Sequence, residues 1–337
     1  MEYRYLGRTG VRVSPLCLGC MMFGGKTDLD ASCEIIAHAV DHGINFIDTA
    51  NVYSTGESEK VTGEALKRIG KREHIVLATK AHGNMHSDEP LNPNRWGNSR
   101  RQIIEQCDAS LKRLGTDWID VYQMHRPDPD CAIDETLRAL DDLVRSGKVR
   151  YIGTSTFGAW QLVESLWAAE KLGLNRFVTE QPPYNLLDRR IEREVVPMAR
   201  TYGIALIPWS PLAQGMLTGK YKRGEQSPGD ARLQRDEKGK SHFLTDRAFD
   251  AVEAVEAMAK EKGCTPAQLA LAWCMQQPGI TSPIIGPRTL DQLKDNLGAA
   301  EVEITDDDRA RLDQVSPPGE AVVSLGEANF GPHPHRV

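Results

Sequence analysis

The stretch Ile44-Asn45-Phe46-Ile47-Asp48-Thr49-Ala50-Asn51-Val52-Tyr53 begins as a short apolar run and stops on an acid. A run of that length reads as a strand, with the polar residue at its C-terminal end. The pattern recurs. Val76-Leu77-Ala78-Thr79 runs into Lys80, Val121-Tyr122-Gln123-Met124 into His125, and Tyr151-Ile152-Gly153-Thr154 into Ser155. Val178-Thr179-Glu180 runs into Gln181, and Ile207-Pro208 into Trp209. Eight strands are expected in all: 16–18, 45–48, 75–80, 119–125, 151–155, 178–181, 205–209 and 281–285.

Between these runs, apolar residues recur at helical spacing, as in Ile35, Ile36, Ala39 and Val40, in Leu137, Leu140, Leu143 and Val144, and in Leu162, Leu166 and Trp167. The helix opening near Asp134 carries Glu135 in its first turn and stops at Ser146-Gly147-Lys148. Asp41-His42-Gly43 and Lys171-Leu172-Gly173 stop their helices in the same way. Strand and helix in alternation mean parallel strands joined by crossover helices. Eight such units in 337 residues fit a closed (β/α)8 TIM barrel. The competing architecture is an open doubly wound sheet. The strand ends disfavour it, because a barrel opens all of them onto one face, where Asp48, Lys80 and His125 would converge.

One domain over 1–337 is expected: an N-terminal hairpin (1–14, turning at Gly7-Arg8-Thr9-Gly10), a barrel (15–300), and a C-terminal helix and tail (301–337). The polar segment Arg223–Asp246 is too long for a simple connection and reads as a functional loop or mobile flap. Hydrophobic residues at 40% and charged residues at 26% are ordinary for a soluble globular enzyme. A net charge of −6 gives no global attraction to nucleic acid or to an anionic membrane. No apolar run reaches the roughly 20 residues of a membrane helix, and Met1-Glu2-Tyr3-Arg4-Tyr5 has no apolar core of a signal peptide. The seven cysteines are an odd number with a single CxxC pair, Cys17 and Cys20. Free thiols in a reducing cytoplasm, and no metal site, are expected.

Tyr53 lies five residues after Asp48. Alone it would be a packed loop aromatic, as Asp48 alone would be a helix cap, Lys80 a surface lysine and His125 a core histidine. Together they make chemical sense. Carbonyl reduction needs a hydride donor on one side and a proton donor at the oxygen. A phenol with a pKa near ~10 is a weak acid unless a cation lies close. Lys80 would supply that cation and Asp48 would hold it. His125 would orient the carbonyl oxygen or share the proton. Side chains do not donate hydride, so a cofactor is implied.

No two glycines here are separated by a single residue, so GxGxxG is absent. Gly19–Thr27 imitates a P-loop, but Cys20 stands where its first glycine belongs. The cofactor would instead lie across the barrel mouth. Ser155 and Gln181 could hold a carboxamide. Trp209 offers a flat face, or is a buried rim aromatic. Gly286-Pro287-Arg288-Thr289 opens a helix over 289–298, either a phosphate site or a capped helix with an exposed arginine.

These residues closely resemble the aldo-keto reductase superfamily from Tyr3 to about Ala300. The motifs are Asp48-Thr49-Ala50-Asn51-Val52-Tyr53, Lys80, His125, Gln181-Pro182-Pro183-Tyr184-Asn185, Trp209-Ser210-Pro211-Leu212, and Gly286-Pro287-Arg288 with Asn296. The start and Phe23-Gly24-Gly25 look like the bacterial and potassium-channel β-subunit branches. The resemblance implies a barrel without a Rossmann domain and NADPH extended across its top. It implies a tetrad, with Tyr53 as general acid, Asp48 and Lys80 tuning it, and His125 orienting the substrate. Met21, Asp48, Ser155 and Gln181 match the nicotinamide end, and Trp209 the stacking position. Ser210, Leu212, Gln214, Gly215, Leu217 and Lys220 match the pyrophosphate loop. Gly286, Arg288, Gln292 and Asn296 match the adenosine end, where Arg288 on a 2′-phosphate favours NADPH over NADH. Phe23, Trp96 and Tyr184 are candidate pocket residues beside Tyr53 and His125, or plain rim packing. The usual Ser-Asn pair is Ser155-Thr156 here, and Trp209 stands where tyrosine is usual. A small-molecule carbonyl substrate is implied. The alternatives are an NADPH-binding regulatory subunit with little turnover and an unrelated barrel enzyme, such as a phosphate-binding isomerase.

Overall fold

The computed structural model describes residues 1–85, 92, 94–225, 229, 233 and 243–323. Strands β1 (Arg4–Tyr5) and β2 (Arg12–Val13) pair antiparallel as the expected hairpin. Eight parallel strands follow: β3 (Cys17–Gly19), β4 (Phe46–Asp48), β5 (Val76–Ala81), β6 (Ile119–Met124), β7 (Val149–Ser155), β8 (Phe177–Gln181), β9 (Ala205–Leu206) and β10 (Ile284–Ile285). Their order is β10-β3-β4-β5-β6-β7-β8-β9. The ring closes where the Thr281 N–H donates to Leu206 O (2.8 Å) and the Ile284 N–H to Pro208 O (2.8 Å). This is a (β/α)8 barrel.

Two expected strands are shorter than their apolar runs. The run 205–209 keeps only Ala205–Leu206, and 281–285 only Ile284–Ile285. Pro208 and Pro283 have no N–H to give a ladder. Single links carry the pairing past β9, from the Ile207 N–H to Glu180 O (3.0 Å) and from the Trp209 N–H to Pro182 O (2.9 Å). Trp209 therefore stands beyond the strand, as does His125, whose N–H donates to Ala81 O (3.1 Å).

The helices are α1 (Leu29–Asp41), α2 (Glu57–Ile69), α3 (Arg100–Leu114), α4 (Ile133–Arg145), α5 (Ala159–Leu172), α6 (Val195–Tyr202), α7 (Asp246–Lys262), α8 (Pro266–Met275), α9 (Leu290–Leu297) and α10 (Asp306–Val315). In α4 the expected face, Leu137, Leu140 and Leu143, is buried. After α10 the chain returns to the barrel rim, where the Val322 N–H donates to Leu187 O (3.0 Å). Most of Arg223–Asp246 and of the tail, with any closure by that loop, lies outside the described residues.

Side chains two apart on a strand share a face. Phe46 and Asp48, Ala78 and Lys80, and Val121 and Gln123 therefore divide the barrel interior into layers. The lower layer is apolar: Cys17, Phe46, Ala78, Val121, Ala205 and Ile207 pack with Leu6 and Val13 of the hairpin, all buried. Arg4 pins the hairpin beneath by donating from Nη1 to Met275 O, Ile280 O and Thr281 O. The upper layer is polar. All seven cysteines are free. Among the described residues no helix is long and apolar enough to cross a membrane, and no three His, Cys, Asp or Glu side chains group to hold a metal.

Candidate active site

Lys80 is the centre of the polar layer and is 0% exposed. Its Nζ donates to Asp48 Oδ2 (2.5 Å), Thr49 O (2.8 Å) and Tyr53 Oη (3.4 Å), which uses all three ammonium donors. Burial pulls the Lys80 pKa down, but Asp48 and Tyr53 outweigh it, and the net shift is upward. The side chain is therefore an ammonium at neutral pH. Asp48 Oδ1 accepts from Gln123 Nε2 (3.0 Å) and Gln181 Nε2 (3.0 Å). Gln123 escaped the sequence reading because it sits inside an apolar run. Its only signal was position, two residues before His125 and so on the same face.

Tyr53 opens a tight turn, Tyr53–Gly56, in which Ser54 (φ 49°), Thr55 (φ 54°) and Gly56 (φ 91°) are all left-handed. Such a conformation is rare for a β-branched threonine and persists only where neighbours impose it. The loop after β3 does so. A Cβ on Gly24 would lie 2.8 Å from the Glu57 backbone, and one on Gly25 2.8 Å from Ser54 Oγ. The two glycines let that loop lie directly on the turn that aims Tyr53.

His125 meets the Tyr53 ring edge-on, with centroids 5.7 Å apart. Burial first, then the charges of Lys80 and Arg126, hold its pKa well below the ordinary histidine value. A neutral imidazole can donate one N–H to a carbonyl oxygen but holds no surplus proton.

The cofactor candidates surround this centre. Ser155 Oγ donates to Gln181 O (2.9 Å). Gln181 donates through Nε2, and among the described residues no hydrogen bond ends on its Oε1, which is left as an acceptor for an amide NH2. Met21 and Trp209 are half-buried at the rim. Beyond Trp209, Ser210 (φ 59°), Ala213 (φ 48°), Gln214 (φ 56°) and Gly215 (φ 93°) are left-handed. Within this loop the Ala213 N–H donates to Ser210 O (2.9 Å), the Gln214 N–H to Ser210 Oγ (3.3 Å) and the Gly215 N–H to Leu212 O (2.8 Å), so these left-handed turns are held by their own hydrogen bonds. Leu212 and Leu217 anchor this loop against the core. Lys220 curls back over it, since a Cβ on Gly215 would lie 2.8 Å from Lys220 Nζ. Across the ring closure Gly286 is exposed and Arg288 half-buried at the start of α9. The Arg288 backbone is fixed from both sides: its N–H donates to Gln292 Oε1 (2.8 Å) and its carbonyl accepts from Thr27 Oγ1 (3.0 Å). Asn296 is buried on the same helix. An amide acceptor, an aromatic face, the Lys220 ammonium over a tight loop and a guanidinium, in that order, fit an extended phosphate-bearing dinucleotide.

Of the three candidate pocket residues, two are packed. Phe23 is fully buried in the main core. Tyr184 is 1% exposed, donates its hydroxyl to Glu192 (2.6 Å) and packs on Trp273. The next residue ties this segment to the loop after Trp209, with Asn185 Nδ2 donating to Ser210 O (3.0 Å). Trp96 stays 50% exposed, edge-on to His82.

Comparison with known proteins agrees with this geometry. An oxidoreductase of Bacillus subtilis, YrpG, described as uncharacterized, is 42% identical over 323 residues, covering 94% of this chain and 96% of its own. A probable voltage-gated potassium channel subunit beta of Arabidopsis thaliana is 39% identical over 90% of this chain and 92% of its own. Versiconal hemiacetal acetate reductase of Aspergillus parasiticus is 37% identical over 93% and 96%. The profile of the aldo/keto reductase family matches residues 15–317, nearly the whole chain, and the chain belongs to that family.

Proposed function

We propose that the protein reduces aldehydes or ketones to alcohols with NADPH, in the cytoplasm. The observation that carries this reading is the buried Lys80 ammonium bridging Asp48 and Tyr53. A bound dihydronicotinamide supplies the hydride. Tyr53 Oη gives its proton to the carbonyl oxygen, and the Lys80 ammonium stabilises the phenolate left behind. Asp48, held by Gln123 and Gln181, keeps the ammonium charged and in place. The His125 N–H fixes the carbonyl oxygen beside the phenol. Arg288 would hold a 2′-phosphate, the basis for NADPH over NADH.

A second reading is favoured by relatives at 39% and 38% identity, both probable channel β-subunits: a nucleotide-binding regulatory subunit with little turnover. One experiment separates the two. Purified protein is titrated with NADPH and with NADH, then mixed with a carbonyl panel while the cofactor's near-ultraviolet absorbance is followed. The reductase reading expects turnover that falls by about 10²–10⁴ in Tyr53→Phe, with NADPH affinity nearly unchanged. Tight NADPH binding without turnover on any substrate would leave the regulatory reading standing.

A further inference from the structure

One group at the mouth has no part in the mechanism above. β5 and β6 run in register, Lys80 opposite Gln123 and Ala81 opposite Met124. One step further along both chains brings His82 beside His125, on the face that also carries Lys80. His82 is half-buried, and Trp96 stands edge-on to its ring at 5.6 Å.

The tautomer of His82 follows from its partner. Asn98 Nδ2 donates to Arg126 O (2.9 Å), and a carbonyl can only accept, so the amide NH2 faces that way. Asn98 Oδ1 therefore faces His82 Nδ1, 3.0 Å away, and Nδ1 must carry the hydrogen. Burial, the largest effect, lowers the His82 pKa and keeps the ring neutral. Nε2 is then a bare lone pair, and among the described residues no hydrogen bond ends on it. The loop cannot easily swing away, because the Asn98 N–H also donates to Asp128 Oδ2 (2.8 Å) and the Gly97 N–H to His82 O (2.7 Å).

We propose that His82 is a specificity-determining residue: its Nε2 accepts a hydrogen bond from a substrate hydroxyl, and with Trp96 it selects flat aromatic carbonyl compounds that carry one. The proposal rests on the reductase reading of the same site. Its physical basis is an asymmetry in what the mouth offers. Tyr53 and His125 bring donors to the carbonyl oxygen, whereas His82 brings an acceptor. A substrate that covers Nε2 without a donor leaves a desolvated polar atom unpaired. Neighbouring strands are about 4.8 Å apart, so a hydroxyl on the same benzene ring as the carbonyl reaches from His125 to His82.

The test compares 2-, 3- and 4-hydroxybenzaldehyde with the matching methylbenzaldehydes. Binding to NADP⁺-loaded protein is measured by calorimetry and, separately, turnover is measured with NADPH. One hydroxyl isomer should bind about tenfold or more tighter than its methyl twin. His82→Leu should bring that ratio close to one, and His82→Gln, which retains an acceptor, should restore part of it. Ring ¹⁵N shifts should show Nδ1 protonated, and the preferred isomer should move the Nε2 signal. A ratio near one in the wild-type protein, a preference that survives His82→Leu, or binding of neither twin overturns the proposal. Discrimination in binding without turnover supports it and removes only the reductase reading.

Discussion

Glu180 shows at the scale of one residue how much the interior decides. It precedes Gln181 on β8, so it faces out of the barrel where Gln181 faces in, and it is fully buried. Burial raises its pKa to about 8 against the pull of Thr154 and the backbone N–H groups of Phe157 and Thr156. The Thr154 hydroxyl lies 2.5 Å from Glu180 Oε2 and 3.2 Å from Thr179 O, and it has one hydrogen for two acceptors. The hydroxyl donates to Glu180 Oε2, its shorter contact, and Glu180 Oε1 accepts from the Phe157 N–H (3.2 Å). Among the groups around it Arg126 is the nearby cation, and it donates to Thr156 Oγ1 (2.6 Å) in the same turn. In the unfolded chain a glutamate titrates near ~4.3. The folded state thus binds the proton more tightly, and the stability this contributes is complete below the unfolded value. It is lost as pH rises to about 8, at a slope approaching ~1.4 kcal/mol per unit. Glu180→Gln keeps a donor and an acceptor and removes the proton. Urea midpoints should fall from pH ~5 to ~8 in the wild-type protein relative to the variant. Parallel curves would show Glu180 to be ionised throughout. None of this was legible in the chain, where Glu180 is one acid in an apolar run.

At the scale of elements, the regular parts were legible and the irregular ones were not. α4 and α5 follow from apolar spacing and a glycine stop, since both are local causes. The strand ends at β9 and β10 were misplaced because apolar character persists through Pro208 and Pro283 while N–H donors do not. The turn Tyr53–Gly56 was invisible, because its left-handed run is imposed by a loop some 30 residues earlier in the chain. Gly24-Gly25 looked like a failed phosphate loop and proves to be a packing surface. Gly24→Ala tests that directly. Its φ of 69° and the 2.8 Å approach to Glu57 both oppose a Cβ. A stability loss of more than about 1 kcal/mol is expected, with kcat lowered through a displaced Tyr53 and NADPH binding retained. A normal kcat would show that the turn holds without that contact.

Across the whole molecule, the barrel separates stability from chemistry along its axis. The lower layer is an apolar plug that the hairpin completes, and the upper layer is a hydrogen-bonded polar network. Leu6, fully buried in the plug, lies at the opposite end from Lys80. Leu6→Ala should lower unfolding free energy by about 2–5 kcal/mol and leave kcat/KM near the wild-type value, measured by denaturant unfolding and cofactor oxidation. A comparable loss in kcat/KM would mean that the two layers are coupled. The chain by itself determined the barrel and the convergence of Asp48, Tyr53, Lys80 and His125 at its mouth. Strand and helix periods are local, and a barrel brings every strand end to one face. Only the tertiary structure decided that Gln123 secures Asp48, that His125 is neutral, that Tyr184 is packed rather than open, and that His82 presents a bare Nε2. Each of these depends on burial and on partners distant in sequence, and protonation and hydrogen-bond geometry are properties of the assembled interior.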